Sequence, residues 1–168
     1  NKDSLLILSR IELVSFSHSL FSVYEEDKRL TFLFETNKAK IYADMDAIKL
    51  GVILDSLLSN AVKFTPDGGS IRLSLFYREE TGLVDICVSD TGSGIPPRDI
   101  PYIFQRFFQS PHSGNKEGTG IGLYLVKTYT ELHGGHITGV TSEEGKGTSV
   151  GLNIPVIAVE EEKILSLI

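Results

Sequence analysis

The chain has 168 residues, 41% of them hydrophobic and 23% charged, with a net charge of -6 at pH 7. That is enough material to bury a core as one domain and unlike a disordered chain. The 16 Lys and Arg are scattered with no basic stripe, which argues against nucleic-acid binding but leaves room for a phosphate-bearing small ligand; the one cysteine, Cys87, excludes an internal disulfide and fits a reducing compartment, and no apolar run approaches the about 20 residues of a membrane span.

From the start, Asn1 to Glu12 sets Leu5, Leu8 and Ile11, or Leu6 and Ile7, on overlapping helical stripes and reads as the tail of a helix. Phe16, Leu20, Phe21 and Tyr24 line a short helix before the turn at Glu25-Glu26-Asp27. Arg29 to Thr36 alternates as a strand with Leu30, Phe32 and Phe34 on one side, and a short strand follows around Lys40 to Ala43. Asp44 suits the N-cap of a long helix to about Phe64, whose buried stripe is Leu50, Leu54, Leu57, Leu58 and Ala61. After the turn Thr65-Pro-Asp-Gly-Gly69, two strands joined by Arg78 to Gly82 turn Ile71, Leu73, Leu75, Val84, Ile86 and Val88 inward. Cys87 lies in the second apolar run, which points to a buried, inert thiol. Pro97 suits the first turn of a short helix through Ile100, Ile103 and Phe104. The polar loop Gln109 to Gly118 has little to bury and reads as a mobile lid. Leu123 to Leu132 is amphipathic and breaks at Gly134-Gly135; Gly135 to Ser142 and Gly147 to Ile154 then read as a closing hairpin that Pro155 stops. Val156 to Ile168 reads as a linker or short helix.

Three stretches carry chemistry. Ser56, Asn60 and Lys63 share one face of the long helix, where an amide oxygen could face a metal and the ammonium a phosphate; the plainer alternative is a solvated polar face. Asp90-Thr-Gly-Ser-Gly-Ile95 ends an apolar strand in a carboxylate followed by Gly92 and Gly94, so a flat ligand with a donor group, such as a purine amine, can approach closely; the alternative is an Asp-capped turn. Gly118-Thr-Gly-Ile-Gly-Leu123 is a glycine-rich turn running into a helix, able to offer backbone N–H groups to phosphates, but no strand precedes it, so it lies outside a dinucleotide-binding unit.

Taken in order, these stretches closely resemble the catalytic, ATP-binding domain of two-component sensor histidine kinases, a branch of the ATPase superfamily that includes DNA gyrase, mismatch-repair ATPases and a heat-shock chaperone. The resemblance spans about Arg29 to Pro155. Leu57 to Pro66 looks like the N box, Asp90 to Ile95 the G1 box, Ile103 to Gln109 the F box and Gly118 to Leu123 the G2 box, while Gly145-Lys-Gly-Thr148 resembles the last glycine-containing segment. The resemblance implies a Bergerat-type fold, an α/β (α+β) two-layer sandwich. Its mixed, mostly antiparallel sheet of about five strands is covered on one face by about three helices and carries a flexible ATP lid.

The resemblance also implies site roles. Asp90 would accept the adenine amino group, Asn60 would hold Mg²⁺, Lys63 and Arg106 would meet phosphates, and Phe64 would lie on the adenine side. Gly118, Gly120 and Gly122 would give backbone donors to the phosphate chain, and Thr148 would support adenine recognition. Asn60, Lys63 and Arg106 would be the catalytic set, with Gly92, Gly94, Ile95, Phe107, Thr119, Ile121 and Leu123 completing the ATP site. The implied activity is transfer of the ATP γ-phosphoryl group to a histidine on a dimerisation domain, which signals to a response regulator receiver domain. The implied division is residues 1–12 as the end of the second dimerisation helix, 13–155 as the catalytic domain and 156–168 as a tail or linker. It also implies a cytoplasmic domain, monomeric as this piece, in a homodimeric parent that is either free or membrane-anchored.

The sequence departs from the family pattern in three places. Ser56 stands where the N box often begins with Asn, with Asp55 beside it; in hydrolysing relatives a Glu there activates water, so its absence favours phosphoryl transfer over hydrolysis. None of His18, His112, His133 and His136 has the context of the acceptor histidine, which predicts a piece unable to phosphorylate itself. The stretch from Glu12 to Arg29 is shorter than the usual first helix. Three other readings compete. Asp90-Thr-Gly92 also resembles the aspartic-protease motif, but only one copy exists. A nucleotide-binding sensor or pseudokinase without transfer activity fits Ser56, and an anti-sigma serine kinase is disfavoured by the segment Leu8 to Glu12.

Overall fold

The computed structural model describes residues 5–109 and 122–161. In chain order its elements are β1 (Leu8–Glu12), α1 (Leu13–Tyr24), β2 (Thr31–Thr36), β3 (Lys40–Asp46), α2 (Ala47–Phe64), β4 (Ser70–Arg78), β5 (Leu83–Asp90), α3 (Gly122–Leu132), β6 (His136–Glu143), β7 (Gly147–Pro155) and β8 (Ala158–Glu160). The main sheet has the order β2-β4-β5-β7-β6. Its β2–β4 pair is parallel and the others antiparallel, so it is mixed as expected. A parallel neighbour cannot be reached by a tight turn. Here the chain leaves β2, runs through β3 and α2, and returns in β4. A second sheet has the order β1-β3-β8.

Alternation puts Ile71, Leu73 and Leu75 of β4, Val84, Ile86 and Val88 of β5, and Leu152 and Ile154 of β7 on one face, all buried. Against them α2 lays Leu50, Ile53, Leu54, Leu57, Leu58 and Ala61, an unbroken apolar stripe at helical spacing. Truncating a fully buried member such as Leu54 to Ala costs about 2–5 kcal/mol. Val126 of α3 joins this core, and α1 closes its other end, where Phe21 meets Phe32 edge-on at 5.8 Å between centroids. The three helices thus cover one face of the main sheet, as the resemblance implies.

Several local expectations are corrected. Leu8–Glu12 is a strand, not a helix tail: each residue from Leu8 to Glu12 pairs with β3, and the Glu12 carboxylate takes the N–H groups of Val14, Ser15 and Ile41. Burial alone would push that carboxyl up, but these bonds together with the one from the Ser15 hydroxyl outweigh it and hold it below its ordinary value. The N-cap of α2 is Asp46 rather than Asp44, because β3 runs on to bury Met45, while Asp44 faces out to an ion pair with Arg10 at 2.9 Å. The Asp46 carboxylate accepts from Ile48 N and Lys49 N, both at 3.1 Å.

The short helix expected from Pro97 is reduced to a 3₁₀ turn, Ile100–Tyr102, in a run of i to i+3 bonds. Pro101 stands in the first turn of that segment, where its missing N–H leaves no bond unmade. The tail also differs from a linker or helix in its described part, for β8 adds to β3 through pairs such as Ile41 with Val159. Cys87 is half-buried rather than buried, on the sheet face away from the helices, 3.6 Å from the Ser89 hydroxyl. Most of the expected lid, residues 110–118, lies outside the described residues.

Candidate functional site

At one end of the main sheet, β5 stops at Asp90, and register places Thr148 of β7 directly opposite it. Asp90 Oδ1 accepts from Gly92 N at 2.8 Å and Thr148 N at 3.3 Å. Both bonds fall on the same oxygen, so among the described residues Oδ2 is left for a donor arriving from outside. Burial pushes the Asp90 carboxyl above the ordinary range, against the downward pull of these two N–H groups. A carboxylate kept partly desolvated beside an open lone pair is a strong acceptor for a neutral N–H donor.

The backbone around Asp90 is packed too closely for side chains. A Cβ on Gly92 would sit 2.5 Å from the Phe64 carbonyl oxygen, and the next residue, Ser93, donates its N–H to that same oxygen at 3.1 Å. Gly94 has φ +76 and its absent Cβ points 2.3 Å from the Glu143 carbonyl oxygen. Gly147 has φ +125 and lies against the Asp90 carbonyl, where a Cβ would be 2.0 Å away. Such φ values and contacts suit only glycine. The Ser142 hydroxyl ties the cluster together: it accepts Ile95 N at 2.7 Å, lies 2.9 Å from the Thr148 hydroxyl and donates to the Gly147 carbonyl at 3.1 Å. Sequence reasoning missed Ser142, because a serine near the end of a strand carries no local signal. The Asp90-Thr-Gly92 stretch is therefore part of a single strand-end turn, and among the described residues no second carboxylate bonds to Asp90 as protease chemistry requires.

On α2, Ser56, Asn60, Lys63 and Phe64 are half-buried, and Lys63 Nζ stands 5.3 Å from the Phe64 ring centroid. Ser56 faces the start of α3: a Cβ on Gly122 would be 3.6 Å from both its Cβ and its Oγ. Asp55 does not stand in for a missing acid, because it faces α1 and accepts a short hydrogen bond from the Tyr24 hydroxyl. Burial and that carboxylate push the Tyr24 phenol up. The α2 face toward α3 thus offers Asn60 and Ser56 as oxygen donors. That sparse set suits a hard cation completed by phosphates and water, not a protein cage. The described residues hold no group of three or more His, Cys, Asp or Glu that could bind a metal.

The F-box segment supplies the remaining side chains. Arg106 is exposed, with its guanidinium carbon 4.8 Å from the Phe107 ring centroid. Phe107 is 60% exposed and has φ 67, a left-handed backbone that costs a residue with a side chain about 1–3 kcal/mol and is concentrated at functional sites. Gly122 and Leu123 open α3, Leu123 half-buried against the core. Of the expected glycine turn, Gly118, Thr119, Gly120 and Ile121 lie outside the described residues.

Residues 45–158 match the family described as histidine kinase-, DNA gyrase B-, and HSP90-like ATPase. The sensor histidine kinase WalK of Bacillus subtilis is 32% identical over 156 residues, covering 90% of this chain and 25% of WalK. The chain thus spans about a quarter of that relative's length. Full-length ShkA in complex with AMPPNP superposes with a TM-score of 0.77 at 26% identity, over 94% of this chain and 32% of ShkA. Histidine kinase ThkA, solved in complex with the response regulator protein TrrA, superposes with a TM-score of 0.73 at 22% identity, over 90% of this chain and 42% of ThkA. At that identity the ThkA likeness speaks for the fold alone.

Proposed function

The chain belongs to the family of histidine kinase-, DNA gyrase B- and HSP90-like ATPases, and from that membership we propose that it is the ATP-binding catalytic domain of a sensor histidine kinase. It transfers the γ-phosphoryl group of ATP to a histidine on a dimerisation domain outside this chain, for onward transfer to a response regulator receiver domain. The observation that carries this reading is Asp90: a partly desolvated carboxylate with one oxygen tied by Gly92 and Thr148 and the other open, at a strand end where glycines let a planar group approach.

In this reading Asp90 Oδ2 accepts the exocyclic amino group of adenine, while the Ser142–Thr148 hydroxyl pair fixes the Thr148 amide that orients Asp90. Phe64 and Ile95 border the adenine side. Gly122 brings the positive end of α3 toward the phosphates, and Lys63 and Arg106 supply cations for them. Asn60, with Ser56 one turn before it, would hold Mg²⁺, which when bound neutralises charge developing on the phosphates. The acceptor imidazole nitrogen forms the new P–N bond as the bond from the γ-phosphorus to the bridging oxygen breaks and ADP leaves. With position 56 a serine and Asp55 engaged by Tyr24, none of these α2 groups is placed to activate water, which favours transfer over hydrolysis.

Calorimetric titration with ATP, ADP and a non-hydrolysable ATP analogue, with and without Mg²⁺, tests the pocket in the unaltered chain and in Asp90→Asn. Binding that collapses in the variant supports the reading, and absence of binding by the unaltered chain rejects it. Phosphotransfer to a separately supplied dimerisation domain then separates a kinase from a nucleotide sensor: a kinase labels the acceptor and loses the label in Asn60→Ala, whereas a sensor never labels it.

A further inference from the structure

Arg106 is held by two aromatic rings from separate segments. Its guanidinium carbon is 4.8 Å from the Phe107 centroid and 6.0 Å from that of Tyr124. Tyr124 is the third residue of α3, in the first turn after Gly122, and is half-buried, so its ring belongs to a fixed element. Phe107 is the opposite case, exposed and left-handed, with its backbone turned so that its ring comes under the preceding side chain.

A guanidinium near an aromatic face is attracted by the ring quadrupole and stacks on it through its plane. Among the described residues no carboxylate lies within ion-pair distance of Arg106. A cation is therefore kept beside the positive end of a helix dipole with no counter-charge among the described residues. Two positive sources side by side repel unless an anion comes to lie between them.

We propose that Tyr124 is a positioning residue whose ring fixes Arg106 beside the first turn of α3 for the terminal phosphate of the nucleotide, and so sets the preference for a nucleoside triphosphate over a diphosphate. The inference rests on the ATP-binding reading above and adds a residue that lies just past the glycine motif. The ring does this work and the hydroxyl does not.

Calorimetry with ATP and ADP on the 168-residue chain and on Tyr124→Ala, Tyr124→Phe, Arg106→Ala and the double alanine variant tests it. An exposed cation–ring contact corresponds to about a three-fold change in affinity. The expected result is that Tyr124→Ala weakens ATP by about that factor and leaves ADP unchanged, Tyr124→Phe behaves as the unaltered chain, and Tyr124→Ala adds nothing once Arg106 is alanine. Equal losses for ATP and ADP, a loss that persists in the Arg106→Ala background, or a Phe variant as weak as the Ala variant overturns the inference while the ATP reading stands. A lowered melting temperature with unchanged discrimination assigns Tyr124 to packing and overturns it as well. Failure of the unaltered chain to bind either nucleotide rejects the ATP reading and this inference with it.

Discussion

The strand end at Asp90 and the Arg106 segment both belong to the proposed nucleotide site, yet they are held by different physics. Around Asp90 most partners are backbone, with the Ser142 hydroxyl as a side-chain tie: Ser93 N on the Phe64 carbonyl, Gly145 N on the Ser93 carbonyl at 2.8 Å, and glycines pressed onto peptide oxygens. Around Arg106 they are side chains, two aromatic faces beside a long flexible cation, next to a left-handed Phe107. A backbone mould accepts almost no substitution, whereas a side-chain clamp loosens by degrees. Recognition of a flat, invariant base suits the first, and a phosphate group that changes during reaction suits the second.

The sharpest break in this contrast comes from Gly147→Ala. Its Cβ would meet the Asp90 carbonyl in a backbone region disfavoured for alanine, so destabilisation of about 3 kcal/mol or more is expected. A melting temperature lowered by less than a few degrees would show that the mould can give.

Asp90→Asn should separate binding from stability. Loss of a charged acceptor weakens adenine-nucleotide affinity by about tenfold or more. Stability behaves otherwise. Native Asp90 keeps its proton to higher pH than the unfolded chain, so between the ordinary carboxylate value and its raised native value the native state binds more protons, and stability falls as pH rises through that window. Denaturant melts across pH should show the stability of the unaltered chain falling relative to Asp90→Asn through this window, against the opposite trend that the depressed Glu12 and Asp46 carboxyls give both proteins; at neutral pH Asp90→Asn is as stable as the parent or more so.

Smaller effects are expected on the phosphate side. Asn60→Ala should bring ATP affinity measured with Mg²⁺ down to the magnesium-free value, leaving the magnesium-free value itself unchanged. Phe107→Gly relieves the left-handed backbone but loses a ring, for a net change within about 1 kcal/mol by thermal melt. A loss of several kcal/mol would place Phe107 among the rigid elements instead. Smallest of all, Tyr24→Phe removes the donor to Asp55 and should lower stability by about 1 kcal/mol with nucleotide affinity untouched. A shift in affinity would show that Asp55 reaches the nucleotide face after all.

Much of this architecture was readable from periodicity and turn chemistry. The stripe Leu50, Leu54, Leu57, Leu58 and Ala61 and the alternation of Ile71, Leu73, Leu75, Val84, Ile86 and Val88 are local patterns with one burial solution, and all are buried. The misread pieces are those whose state depends on distant partners. Leu8–Glu12 and Ala158–Glu160 are short segments that become strands only because β3 offers them its two edges. Asp44 and Asp46 are equally good caps by type, and the burial of Met45 between them selects the second.

The candidate site divides the same way. Residue identities in the boxes pointed to Asp90, Asn60, Lys63 and Arg106 because carboxylate, amide and cation chemistry is a property of single side chains. Which oxygen of Asp90 stays open, the turning of Asp55 toward Tyr24, the Ser142 tie and the approach of Tyr124 to Arg106 were decided by folding alone. Each joins segments far apart in the chain, and the pairing register and helix packing that bring them within a few ångströms are set by burial of the whole core rather than by any local run of residues.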